Sequence, residues 1–190
     1  MPNWCNNTVE IYHKDPAMLE RVRKGFNEGA LLAEFMPVPE DLQITAGFLG
    51  DPEAQKELER KEQENLKKYG HKNWYDWCVA NWGTKWDVGG DGYEAQDIEG
   101  GLMLTFDSAW SPPIGAFERL IDEDFGFEIR AMYYEPGMAF AGIWDNGDDE
   151  FYEYGDMNAD QIAETLPGEL DEAFGISESV AEWEAENEEE

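Results

Sequence analysis

Asn7-Thr8-Val9-Glu10-Ile11-Tyr12-His13 followed at once by Asp15-Pro16 is the stretch whose reading decides the fold. Val9 and Ile11 alternate with Thr8, Glu10 and Tyr12, the period of two expected of a half-buried strand. Asp15 then offers an N-cap and Pro16 suits a first helical position. Met18, Leu19, Val22 and Phe26 continue with helical spacing until Gly29. The chain therefore begins strand, helix.

Working outward, Ala30 to Met36 reads as a second short strand stopped by Pro37 and Pro39. Asp51-Pro52-Glu53 repeats the helix-start signal. Residues 53–69 are mostly Glu, Lys and Gln, with only Ala54, Leu58, Leu66 and Tyr69 available as a seam. That is an exposed, projecting helix, supported by Glu57→Lys61 and Glu64→Lys68 pairs worth roughly 0.2–0.5 kcal/mol each. An aromatic helix from about Asn73 to Asn81 follows, and together these form a helical insertion at about 51–83. Strands are expected at 93–98 and 101–107, with Gly100-Gly101 as the hairpin signal. Ser111-Pro112 opens a helix carrying Ile114, Phe117, Leu120 and Ile121, with Ser111 as its cap. Strands at 127–133 and 140–144, a further strand segment at 151–154 and short helices at 159–165 and 168–174 complete the series. Residues 178–190, with seven Glu and Trp183, read as a frayed acidic tail.

Two strand-helix-strand halves make an α+β, ferredoxin-like antiparallel sheet with helices on one face. The expected organisation is a ferredoxin-like domain over 1–144, an acidic strand and helix extension over 145–177 packed on it, and a disordered tail over 178–190.

Several strings carry a family likeness. They are Pro2-Asn3-Trp4-Cys5-Asn6-Asn7, Asn81-Trp82-Gly83-Thr84-Lys85-Trp86-Asp87, Phe106-Asp107-Ser108-Ala109-Trp110-Ser111-Pro112-Pro113, and Tyr134-Glu135-Pro136-Gly137-Met138 with Phe140-Ala141-Gly142. In this order they resemble the YubB-type ferredoxin-like family of plasmid and bacteriophage proteins, over roughly residues 2–144. The resemblance implies the fold and a mobile-element origin, and it implies no activity. Read from the residues alone, Trp4, Trp82, Trp86 and Trp110 are packing residues whose indole N–H groups find Asn, Thr, Asp or Ser neighbours. The competing reading is a Trp-rich cleft for a small ligand.

Chemistry finds little to use. His13 and His71 have no nucleophile in a recognisable motif, Gly83-Thr84-Lys85 lacks the upstream glycine of a phosphate loop, and no dinucleotide loop is present. Cys5 and Cys78 cannot make a disulfide framework and read as small buried apolar residues. Asp145-Asn146-Gly147-Asp148-Asp149-Glu150 offers hard oxygen ligands, but its glycine and acidic spacing do not fit a calcium loop. The expectation is a non-enzyme without catalytic residues, metal or cofactor. No apolar run approaches the roughly 18 residues of a membrane span, and no secretory signal precedes the first strand, so the bacterial host cytoplasm is the expected compartment.

Charge is the feature that asks for a function. Residues 1–85 hold 14 Asp/Glu against 11 Lys/Arg, whereas residues 86–190 hold 30 against 2, Arg119 and Arg130. Adaptation of a whole surface to high salt would deplete the first half too. Duplex DNA carries one charge per roughly 1.7 Å, so 30 carboxylates match about 50 Å of it. The reading is an anti-defence protein that uses an acidic face to block a basic nucleic-acid-binding host protein by DNA mimicry, without itself binding nucleic acid or membrane. Its expected partner-binding residues are Asp122, Glu123, Asp124, Asp145, Asp148, Asp149, Glu150, Glu153 and Asp156. The alternatives are a small-molecule or metal module using the Trp-rich cleft or the acidic turn, and an interaction scaffold acting through the 51–69 helix.

Overall fold

The first strand, β1 (Trp4–Tyr12), is the centre of the molecule in the computed structural model, which describes residues 3–122 and 124–188. It alternates buried and half-buried positions as its sequence requires, and both neighbours run antiparallel to it. The remaining strands are β2 (Gln96–Ile98), β3 (Gly101–Ala109), β4 (Glu128–Glu135), β5 (Phe140–Asp145) and β6 (Asp148–Glu153). They form one sheet in the order β2-β3-β1-β4-β5-β6. The first four places are the ferredoxin-like arrangement, and β5 and β6 extend it past β4. The fold is α+β with a six-stranded antiparallel sheet.

Helix α1 (Pro16–Asn27) starts as expected: the Asp15 carboxylate accepts from the Ala17 N–H and Pro16 holds the first turn. The region read as a strand at 30–36 is instead α2 (Leu31–Phe35). Asp87, more than fifty residues further on, supplies what no local residue does. Its carboxylate oxygens accept from the N–H groups of Leu32 at 2.7 Å and Ala33 at 2.9 Å, capping α2 from across the fold. Leu31, Leu32 and Phe35 are then buried on one helical face. The second strand of the first half is therefore β2, which ends in the hairpin to β3. In that hairpin Ile98 pairs with Gly101, so the two-residue loop is Glu99-Gly100, one place earlier than expected.

Helix α3 (Pro52–Tyr69) is capped by Asp51 and buries only Leu58 and Asn65. The anticipated Glu57–Lys61 and Glu64–Lys68 pairs are replaced by better geometry. Arg60 bridges Glu57 and Glu64, and Lys68 reaches Asp41 at 2.6 Å on the preceding 3-10 turn. Helix α4 (Trp74–Trp82) is capped by Asn73, and α5 is Ile114–Ile121. Ser111 does not cap α5. Its hydroxyl donates to the Gly83 carbonyl at 2.6 Å, leaving the prolines to set the helix entry.

One core lies between the sheet and α1, α2, α4 and α5, built from Val9, Ile11, Phe26, Leu104, Phe106, Phe117, Leu120, Ile129 and Trp144 among others. Each such side chain contributes roughly 1.5–3 kcal/mol on burial. Helices α6 (Ala159–Thr165), α7 (Gly168–Phe174) and α8 (Ile176–Glu188) make a second core with Met132, Tyr134, Ala141, Ile143 and Tyr154. Met132 and Tyr134 alternate with Ile129, Ala131 and Tyr133 along β4, so this second core sits on the opposite face of the sheet. The tail expected to fray from 178 is helix α8 as far as Glu188, and residues 189–190 lie outside the described residues. Ile176 is fully buried, Val180 packs on the second core, and Asp171 accepts from both the N–H and the hydroxyl of Ser177. Among the described residues no helix is long and apolar enough to cross a membrane.

Candidate functional site

Strands β5 and β6 turn at Asn146-Gly147, both at positive φ, with Asp145 opposite Asp148. Positive φ at both loop positions suits the right-handed twist of the strands. Asn146 also ties the turn to β4, since its side-chain oxygen accepts from the Ile129 N–H at 2.8 Å. Strand β6 is the edge of the sheet and almost wholly exposed. Along it the side chains alternate between faces. Asp149 accepts from the Tyr133 hydroxyl at 2.7 Å and Phe151 meets Phe140, all on the face of the first core. Tyr152 belongs to the second core, and Glu150 accepts from its hydroxyl at 3.1 Å. Burial and the Asp149 contact push the Tyr133 phenol well above its ordinary range, so it stays a donor. Gly142 makes that contact possible, because a Cβ there would lie 2.2 Å from the Tyr133 oxygen.

The expected partner-binding acids are therefore only partly gathered. Asp145, Asp148, Asp149, Glu150 and Glu153 share one hairpin, and Asp156 is exposed in the turn after it. The period of two distributes Asp148 and Glu150 to one side of β6 and Asp149 and Glu153 to the other, so they form an acidic edge and not one acidic face. Asp122 and Asp124 are exposed after α5, each at 2.8 Å from Arg119. Glu123 lies outside the described residues. Arg130 is ion-paired to Glu169 of α7 at 2.6 Å and stands in register between Glu10 and Asp145. Both arginines of the acidic half thus serve carboxylates of their own chain. Among the described residues no three His, Cys, Asp or Glu side chains converge as a metal site would require.

A second surface differs from the packing expected of its tryptophans. Trp82 does pack: it is 4% exposed and its indole N–H donates to the Met36 carbonyl. Trp4, Trp86 and Trp110 remain 46%, 39% and 40% exposed. Trp4 lies against Trp86 with ring centres 5.9 Å apart, and Trp110 meets Tyr75 edge-on at 6.2 Å. The Lys85 ammonium sits 4.4 Å from the Trp86 ring, 5.1 Å from Trp110 and 5.7 Å from Tyr75. Beside it opens a cavity of about 460 Å³ lined by Glu62, Lys72, Trp74, Tyr75, Asp76 and Trp110 among others.

Buried polar groups hold this surface in place. Asn7 donates to the Ser108 hydroxyl, Ser108 to the Ser111 carbonyl, and Thr84 to the Ala109 carbonyl. Trp110 has a left-handed φ of 70°, a costly conformation for an aromatic residue, and its N–H donates to the Asn3 carbonyl at 2.9 Å. The sequence signal was the position of these tryptophans. Trp4 pairs with Ala109, and Trp110 comes next, so both stand at the same end of adjacent strands.

Cys5 and Cys78 are free and buried, and burial pushes both thiols up to about 12, which removes them as nucleophiles at neutral pH.

No family model matches the chain, and no curated protein matches it. Among solved structures it is similar to the protein api92 from Yersinia pseudotuberculosis, described by the family model DUF1281. The two are 15% identical with a TM-score of 0.41, over 82% of this chain and 99% of that one.

Proposed function

We propose that this is a non-enzymatic, mobile-element-encoded protein that blocks a basic nucleic-acid-binding host protein by presenting carboxylates where DNA phosphates would bind. The observation that carries the reading is the fate of the charges in the second half. Arg119 and Arg130 are occupied by Asp122, Asp124 and Glu169, while the carboxylates of β6 stay exposed along the sheet edge. A partner's arginines would form charge-assisted hydrogen bonds there without displacing an internal cation. The four acids of β6 span about 17 Å, where a duplex presents roughly ten charges, so the strand alone is too sparse. The contact surface must include further carboxylates such as Asp145, Asp156 and those of α8.

The test is a competition assay between this protein and DNA for a purified host nuclease or DNA-binding complex, at low and moderate salt. The expected result is displacement of DNA that weakens steeply as salt rises, and loss of displacement in Asp148→Asn/Asp149→Asn/Glu150→Gln/Glu153→Gln. Unchanged displacement by that quadruple variant would remove the acidic edge from the function. No displacement across a panel of such complexes would remove DNA mimicry itself.

A further inference from the structure

We infer that the Tyr75–Trp86–Trp110 cluster is an aromatic cage for a small quaternary ammonium cation, occupied in the free protein by the chain's own Lys85. Three rings lie within 6 Å of one ammonium nitrogen. Significant cation–ring contacts occur about once per 70–80 residues, so three converging on a single Nζ is not the scatter expected of a surface lysine. The cage is preset. Its walls come from α4, the loop after it and the residue following β3, and the Asn7–Ser108–Ser111 and Thr84–Ala109 hydrogen bonds fix the two loops relative to each other. A left-handed Trp110 is maintained as part of that geometry.

The chemistry of the occupant follows from what the cage lacks. A primary ammonium carries three N–H donors and is strongly hydrated. Among the described residues Lys85 has no carboxylate within ion-pair distance, and ring faces satisfy its donors poorly. A methylated ammonium has no N–H to satisfy and presents apolar, positively charged methyl groups to the rings, which is the recognised use of such cages. Glu62 and Asp76 line the adjoining cavity and likewise have no ion-pair partner among the described residues, giving the cation a negative counterpart. Lys72, on the same wall, opposes the cation, so the attraction rests on the rings with Glu62 and Asp76 offsetting Lys72. Lys85 is then an internal competitor. Its side chain must leave the rings for the external cation to enter.

The experiment titrates tetramethylammonium and choline into the full chain, against sodium at matched ionic strength, following the indole N–H signals of Trp86 and Trp110 by NMR. Wild type should show saturable shifts in the millimolar range for the quaternary cations and not for sodium. Lys85→Ala should bind them about three- to thirtyfold more tightly, the ratio expected when a competing cation–ring interaction is removed. Lys85→Met, which keeps the apolar stem, serves if the alanine variant does not fold. Trp86→Phe should weaken binding in either background. Saturable binding with the same affinity in wild type and both Lys85 variants would overturn the competitor role. Absence of saturable shifts in all three folded proteins would overturn the cage.

Discussion

Replacing Asp87 with alanine should destabilise the protein by about 2–4 kcal/mol, although Asp87 touches no proposed ligand. Its carboxylate accepts from Leu32 at 2.7 Å, Ala33 at 2.9 Å and its neighbour Val88 at 2.9 Å. Leaving a buried donor unmade costs roughly 1–3 kcal/mol, and loss of an N-cap typically about 1 kcal/mol. Three donors set the upper range. The lower range reflects the cost of burying the carboxylate, which raises its pKa above the ordinary value despite the three bonds. Helix α2 has five residues and cannot hold itself together without this cap. Urea unfolding followed by tryptophan fluorescence measures the loss. Asp87→Asn keeps one acceptor oxygen and should lose about half as much. The pH dependence carries a sign. A carboxyl whose pKa is raised by folding binds more protons in the native state, so its contribution is greatest in acid and falls as pH rises from the ordinary carboxylate range through the folded value. The wild-type advantage over Asp87→Asn should therefore narrow with rising pH. An Asp87→Ala loss below about 0.5 kcal/mol would refute the capping role. An advantage that widens with pH would show that the hydrogen bonds outweigh burial.

Two further substitutions probe the acidic edge. Gly142→Ala places a methyl 2.2 Å from the Tyr133 oxygen and 2.7 Å from the Glu150 carbonyl, so it should cost about 1–3 kcal/mol in thermal unfolding and speed hydrogen exchange in β6. Unaltered exchange there would mean that the Tyr133–Asp149 contact does not anchor the edge. Arg130→Met removes the ion pair to Glu169 and the cation in register with Glu10 and Asp145, and should cost about 0.5–1 kcal/mol at low salt, with much of that loss disappearing at 0.5 M salt by screening. A cost independent of salt would identify the loss as packing of the arginine stem.

Where local rules suffice, the chain is legible. The Asp15-Pro16 and Asp51-Pro52 starts, the Asn73 cap and the alternation of β1 and β3 each follow from neighbours in sequence. The failures share a different cause. Ala30 to Met36 lacks a local cap and holds a short apolar run that suits either period, so its helical state depends on Asp87 from a distant loop. The acidic tail from 178 reads as frayed because its one aliphatic anchor, Val180, and Ile176 just before it find their partners on β4, β5 and α6. The tryptophan motifs were legible as unusual but not as exposed, since exposure depends on which ends of β1 and β3 come together. In each case the missing information is tertiary.

The acidity of the second half has two physical explanations that separate on position. Carboxylates on β6 blunt an edge strand, whose unpaired N–H and C=O groups would otherwise invite another chain to pair. Asp148, Asp149, Glu150 and Glu153 are enough for that task, and they repel a second copy whatever else they do. Edge protection does not reach Asp160, Glu164, Glu169, Glu172, Glu178, Glu182, Glu184 or Glu186, which lie on helices where no strand can add. Two such charges about 7 Å apart repel by roughly 0.6 kcal/mol in water before screening, a standing cost that the cores must offset. A cationic partner removes that cost on contact, so neutralising helix carboxylates should raise the protein's own stability while weakening partner binding. Opposite movement of those two quantities is the signature of charge kept for recognition. Parallel movement, or stability alone changing, would assign the helix charges to solubility and leave only the β6 edge for a partner.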